Sequence, residues 1–136
     1  QLKKLSGFIR KRIENFNFLY SLFKEYEDYF ILPYAEEFSA PSWFGFPIAV
    51  KKEAPFTRND IVSFLEEKRI ATRMLFGGNL IKQPAYLGIK YRVCNNLKNT
   101  EFVMKNLFWI GVYPGLSAPM LKYIKKALHD FIKKVK

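Results

Sequence analysis

Cysteine and histidine are almost missing from this chain, whose 136 residues include one of each, Cys94 and His129. A single cysteine excludes an internal disulfide and cannot by itself build a zinc or iron-sulfur centre, which fits a reducing, cytoplasmic compartment. Cys94 reads most simply as a small packed residue. His129, set between Leu128 and Asp130, has no partner with which to form a catalytic pair and reads as a surface side chain. No apolar run reaches the roughly 18 residues that a membrane span requires, and no signal-peptide pattern opens the chain. The phosphate-cradling G-x-x-x-x-G-K-[ST], the G-x-G-x-x-G turn, metal-ligand spacings and a nucleophile elbow are all absent. No catalytic and no metal-binding residue is therefore assigned. Internal repeats and low-complexity tracts are missing too.

Acid is in short supply as well. Twelve Asp and Glu stand against 23 Lys and Arg, a formal net charge of +11, so phosphate, nucleic acid and anionic membrane are the partner classes to weigh. Hydrophobic residues make up 49% of the chain and aromatics 18%, enough for one ordered domain and too much for disorder.

From Leu2 the apolar residues Leu2, Leu5, Ile9, Ile13, Phe16, Tyr20, Phe23 and Tyr26 recur in steps of three and four. This predicts one long helix over about residues 2–31, with Pro33 as its latest end. Residues 43–50 alternate in a period of two and predict a strand, with Phe44, Phe46, Ile48 and Val50 on one face and Trp43, Gly45, Pro47 and Ala49 on the other. Pro47 cannot donate to a ladder and favours an edge. Thr57, three residues before Asp60, caps a short helix over 58–69. Strands follow at 71–76 and 107–113, with one or two helical turns over 100–106 and a last helix over 117–135. The stretch 86–96 has no clear period, although Tyr91-Arg92-Val93 can be extended.

By parity, Thr72, Met74 and Phe76 join Phe108, Ile110 and Val112 in the core layer. Arg73, Leu75, Trp109, Gly111 and Tyr113 gather with Trp43 on the opposite face. The predicted fold is an α+β two-layer domain, a small antiparallel or mixed sheet of about three strands covered on one face by helices. At the end of the 71–76 strand, Gly77-Gly78 turns the backbone and sends Asn79 and Gln83 beyond the strand, where a scaffold meets ligands. Two readings of the outer face follow. One is a ligand and docking face in which Arg73 holds a phosphate or carboxylate. The other is a basic, non-enzymatic nucleic-acid-binding module with the aromatic rings as stacking platforms; no RRM, KH or helix-turn-helix signature supports it.

Three motifs, SWFGFPI at 42–48, ATRMLFGGNLIKQPAY at 71–86 and FWIGVYPGL at 108–116, resemble the C-terminal part of sugar-nucleotide 3-dehydratases. These belong to the DegT/DnrJ/EryC1/StrS group of the aspartate aminotransferase superfamily, and the CDP-4-dehydro-6-deoxyglucose type looks nearest. The resemblance implies the small C-terminal domain of a fold-type-I enzyme, spanning residues 1–136 as a piece of a longer polypeptide; Gln1 already lies inside the helical pattern. It also implies a homodimer that uses pyridoxamine or pyridoxal phosphate to remove the 3-hydroxyl of a nucleotide-linked 4-keto-6-deoxyhexose, on a route to lipopolysaccharide deoxysugars. The cofactor would be held by a large domain outside these residues, so cofactor contacts within them stay unassigned. CDP-linked relatives also carry an iron-sulfur cluster fed by a reductase, of which Cys94 matches nothing. Carried onto this chain, the strand and loop motif makes Arg73, Asn79, Gln83, Phe76 and Tyr113 the candidate substrate-binding residues. A sugar aminotransferase of the same family is the alternative reading.

Overall fold

Helix α1 (Leu5–Lys24) follows a short 3-10 turn at Leu2–Lys4 and buries Phe16, Leu19, Leu22 and Phe23. It stops seven residues short of the predicted end. Glu25, Glu27 and Asp28 would place three carboxylates at the negative end of the helix dipole, and the chain instead leaves through successive turns from Phe23 to Tyr29. Phe30 and Ile31 then form β1, a strand that the helical period concealed. Phe30 is buried with its ring 5.2 Å from Phe23.

The computed structural model describes all residues from Gln1 to Lys136. After β1 come β2 (Gly45–Val50), α2 (Arg58–Glu67), β3 (Thr72–Met74), α3 (Lys98–Asn106), β4 (Leu107–Gly111) and α4 (Ala118–Val135), with 3-10 turns at Leu80–Lys82 and Pro84–Tyr86. The four strands form one open antiparallel sheet in the order β1-β2-β4-β3. The sheet thus has one strand more than expected. Phe46, Ile48 and Val50 of β2 share their buried face with Phe108, Ile110 and Val112, as the alternation predicted. Helices α1, α2 and α4 cover that face, and α4 buries the predicted stripe of Leu121, Ile124, Leu128 and Phe131. Pro47 lies in an inner strand, but β1 pairs only with Ala49 and Val50, so β2 is open on that side at Pro47.

Both caps read from the sequence are formed. Thr57 Oγ1 accepts from the Asp60 N–H while the Thr57 N–H donates to Asp60 Oδ2 at 2.7 Å, a reciprocal capping box. Ser117 caps α4 through the Met120 N–H. Residue 93 and its neighbours join no strand.

Four placements, those of Trp43, Phe44, Met74 and Phe76, depart from the parity expectation; Phe44, expected in the core layer, is 72% exposed and lies against Trp109 on the outer face. Trp43 precedes the ladder and lies with the core, its ring stacked on Phe16 at 4.3 Å and its carbonyl accepting from Arg12 Nη1 at 2.9 Å. The period of two holds only where pairing fixes the pleat, and β2 begins at Gly45. Strand β3 likewise ends at Met74, which is 41% exposed, and Phe76 is 94% exposed with a left-handed φ of 44°, so neither joins the core. Cys94 is exposed rather than packed. His129 is half-buried rather than on the open surface: its Nδ1 bonds Tyr26 Oη and its Nε2 lies 3.8 Å from Glu25 Oε2. Burial raises the Tyr26 phenol above its ordinary value.

Candidate functional site

The outer sheet face carries its aromatic bulk on one residue. Trp109 pairs across the ladder with Pro47 on one side and Arg73 on the other. Its indole packs against Gly45, where an added Cβ would stand 2.5 Å from Cε3. That contact is the local reason for glycine at 45. Phe44, 72% exposed, takes the place foreseen for Trp43 and sets its ring 5.1 Å from Trp109.

Beside Trp109 a groove of about 610 Å³ opens between the start of β3, the end of β4 and the first turns of α4. Arg69, Arg73, Trp109, Tyr113, Met120 and Tyr123 line it. Two of these are cations, no carboxylate and no lysine lines the groove, and nine of its thirteen residues are apolar. Size and lining match a small-molecule site. Arg73 Nη1 donates to the Thr72 carbonyl at 2.8 Å, which leaves the rest of its guanidinium fork open. Thr72 itself is fastened to α2, its N–H and Oγ1 donating to Glu66 Oε1 at 2.6 and 2.7 Å. These bonds hold the Glu66 carboxyl below its ordinary value. Asn15, buried in α1, donates from Nδ2 to the Tyr113 carbonyl at 2.8 Å. Both rims of the groove are therefore tied to helices.

The glycine loop lies at the other end of β3 and faces α3. Gly78 has φ +61°, and a Cβ there would collide with Met104. Asn79 is 4% exposed, turned inward rather than beyond the strand; its N–H points at Met104 Sδ (3.3 Å) and its Nδ2 at Glu101 Oε2 (3.5 Å). Gln83 Nε2 donates to the Gly77 carbonyl at 2.5 Å and closes the loop on itself. Lys82 and Lys105 reach Glu101 Oε1 at 2.6 and 3.1 Å and hold its carboxyl well below the ordinary 4.5, at about 2. Phe76 lines a separate shallow hollow with Leu75 and Val103.

Of the five residues singled out in the sequence, the structure brings together Arg73 and Tyr113, and it puts Phe76, Asn79 and Gln83 on the far side of β3. Arg69, Trp109 and Tyr123 escaped the list of candidates. Trp109 was legible from parity, whereas Arg69 and Tyr123 reach the groove only through the docking of α2 and α4, which leaves no local signal. No group of three His, Cys, Asp or Glu side chains is placed to hold a metal ion. Nor do these residues fit pyridoxal or pyridoxamine phosphate, which needs a base or amine beside an anion cradle. The one histidine is engaged with Tyr26 and Glu25, so none of this chain's residues is assigned to the cofactor.

Known proteins place this geometry in a family. Over 131 residues the chain is 43% identical to the lipopolysaccharide biosynthesis protein RfbH of Salmonella typhimurium, covering 96% of this chain and 30% of that protein. It is 40% identical over 134 residues to the dTDP-4-dehydro-2,6-dideoxy-D-glucose 3-dehydratase of Saccharopolyspora spinosa, covering 98% and 29%. The solved structure of the E. coli GDP-4-keto-6-deoxy-D-mannose-3-dehydratase with bound hydrated PLP superposes with a TM-score of 0.78 at 31% identity, over 94% of this chain and 32% of that one. The chain thus spans about a third of the length of these relatives. Residues 1–129 match the family itself, and the chain belongs to the DegT/DnrJ/EryC1/StrS aminotransferase family.

Proposed function

We propose that this chain is the small C-terminal domain of a pyridoxamine-phosphate-dependent dehydratase that removes the 3-hydroxyl of a nucleotide-linked 4-keto-6-deoxyhexose in deoxysugar biosynthesis. The observation that carries the reading is the acid-free groove of Arg69, Arg73 and Trp109, in a chain 40% identical over nearly its whole length to a 3-dehydratase. The domain's part is to bind and orient. Arg73 offers a planar fork to an anionic substrate, Trp109 and Tyr113 exclude water from one wall, and Gly111, with open space where a Cβ would stand, lets a second body come close to the sheet.

The cofactor belongs, on this reading, to a large domain of the same polypeptide, and the working unit is a homodimer in the cytoplasm. An iron-sulfur reductase would be its electron-donating partner if the enzyme is of the CDP-linked type. Phe76, Asn79 and Gln83 would act as supports of the substrate-side loop. The test is turnover by the full-length protein given pyridoxamine phosphate, an electron donor and a CDP-, GDP- or dTDP-linked 4-keto-6-deoxyhexose, with product read by mass spectrometry. Loss of the 3-hydroxyl is the expected result. An amino sugar in its place would make the protein an aminotransferase of the same family, and an unchanged substrate in every case would overturn the reading.

A further inference from the structure

We infer that the outward face of α4, where Lys122, Lys126, Lys133, Lys134 and Lys136 stand beside Lys68 at the end of α2, is an electrostatic docking surface for an anionic lipid bilayer. The protein rests there on the headgroups without inserting. The contact is independent of the substrate.

All six lysines are exposed. Lys122, Lys126 and Lys133 recur in steps of four and seven, and Lys136 follows three positions later, on the side of α4 turned away from the buried Leu121, Ile124, Leu128 and Phe131. The only acid in α4 is Asp130. Its hydrogen bond from Lys126, and then the charges of Lys126, Lys133 and Lys68, hold its carboxyl below its ordinary value, which shows cations from two helices converging on one patch.

Helix stability does not account for the pattern. Lys133 and Lys134 complement the negative end of the helix dipole. Lys122, however, lies near the positive end, with Lys125 and Lys126 three and four positions on, spacings at which like charges repel. On α1 the exposed Lys11 and Lys24 each have a glutamate three positions on, whereas Lys68, Lys122, Lys133, Lys134 and Lys136 take part in no salt bridge.

The chemistry of the face selects among anionic partners. None of these lysines lines a groove described above, so no concave seat for a small anion lies among them. The patch has no arginine and no tryptophan, the residues that anchor protein interfaces and read nucleic-acid edges. Lysine is a hydrated point charge, and the diffuse negative potential of an anionic leaflet asks for nothing more directional. The apolar side of α4 is spent on the core, and no helix is long and apolar enough to cross a membrane. Binding is therefore held by charge alone.

The experiment is co-sedimentation of the full-length protein with phosphatidylcholine vesicles containing about 30 mol% phosphatidylglycerol, and with phosphatidylcholine vesicles alone. The expected result is binding to the anionic vesicles only, lost when NaCl is raised from about 0.05 M to about 0.5 M. Lys122→Gln, which breaks no ion pair, should lower the partition coefficient about fivefold, and Lys122→Gln combined with Lys126→Gln and Lys133→Gln about a hundredfold. Because both variants relieve repulsion between neighbouring lysines, the urea midpoint should not fall. Lys52→Gln, Lys90→Gln and Lys98→Gln together make the same change of charge at exposed positions outside the patch and should leave vesicle binding nearly unchanged, since screening confines the attraction to charges at the surface. No binding to anionic vesicles, equal binding to neutral ones, binding that survives high salt, or equal losses in the two triple variants would each overturn the inference. So would a random-sequence DNA duplex bound more tightly than the vesicles and released by the α4 triple variant, since the face would then be a nucleic-acid surface.

Discussion

Just before and within strand β3 the chain sets out Arg69 and Arg73, which line a groove whose lining holds no carboxylate; after it, the polar side chains of the glycine loop, Asn79, Lys82 and Gln83, are bonded within the domain. Six positions, from Arg73 to Asn79, separate two opposite uses of polarity. A side chain whose donors are satisfied at home adds stability and has little left for a ligand, whereas an unmatched guanidinium beside an aromatic ring adds little stability and is available. On the proposed reading, the loop that looked most like a binding element serves as a brace, and the residues before it offer the open groove.

The most damaging change to the brace should be Gly78→Val. Its left-handed φ and the collision with Met104 together should cost about 3 kcal/mol, measured by urea denaturation. Stability close to wild type would mean that the loop does not pack on α3. The counterpart on the groove side is Gly45→Val, which drives Cβ into the Trp109 ring. A loss of about 2 kcal/mol should come with a shifted indole emission, and an unmoved spectrum would show that Gly45 does not set the ring.

A smaller pair of effects sharpens the contrast directly. Asn79→Ala should lower stability by about 1–2 kcal/mol because it removes a buried polar side chain facing Glu101. Arg73→Ala should change stability by no more than about 0.5 kcal/mol, since its side chain is exposed. Equal losses in the two variants would erase the distinction between brace and site.

The smallest effect is one of pH. Glu101 has its folded value depressed from 4.5 to about 2 by Lys82 and Lys105. Its contribution is present above the unfolded value of 4.5 and fades as pH falls toward about 2. Amide hydrogen exchange over residues 77–83 should accelerate across that window. In Glu101→Gln the same amides should exchange faster at neutral pH and lose most of that pH dependence, and an unchanged exchange profile in the variant would remove Glu101 as the anchor.

Much of this molecule follows from period and chemistry along the chain. The α4 stripe, the Thr57 and Ser117 caps and the alternation of Phe46, Ile48, Phe108 and Ile110 are local patterns, and local geometry suffices to read them. Arg73 was legible for the same reason, as an outward position of a strand, whereas Tyr113 lies past the end of β4, which stops at Gly111 rather than at the predicted residue 113. What remained hidden depended on neighbours. Phe30 left the helix because three carboxylates followed Lys24 and because Phe23 and Phe56 offered it a buried place. Trp43 crossed to the core because Phe16 and Arg12, far away in the chain, held its ring and carbonyl.

The sequence alone thus determined the helix faces, the caps and the buried side of the sheet, because each is set by the spacing of residues a few positions apart. Tertiary structure decided which polar groups are open. Whether Asn79 faces a ligand or Glu101, and whether Arg69 and Tyr123 meet beside Trp109, depends on how α2, α3 and α4 dock on the strands. Docking satisfies one set of donors and leaves the other without partners.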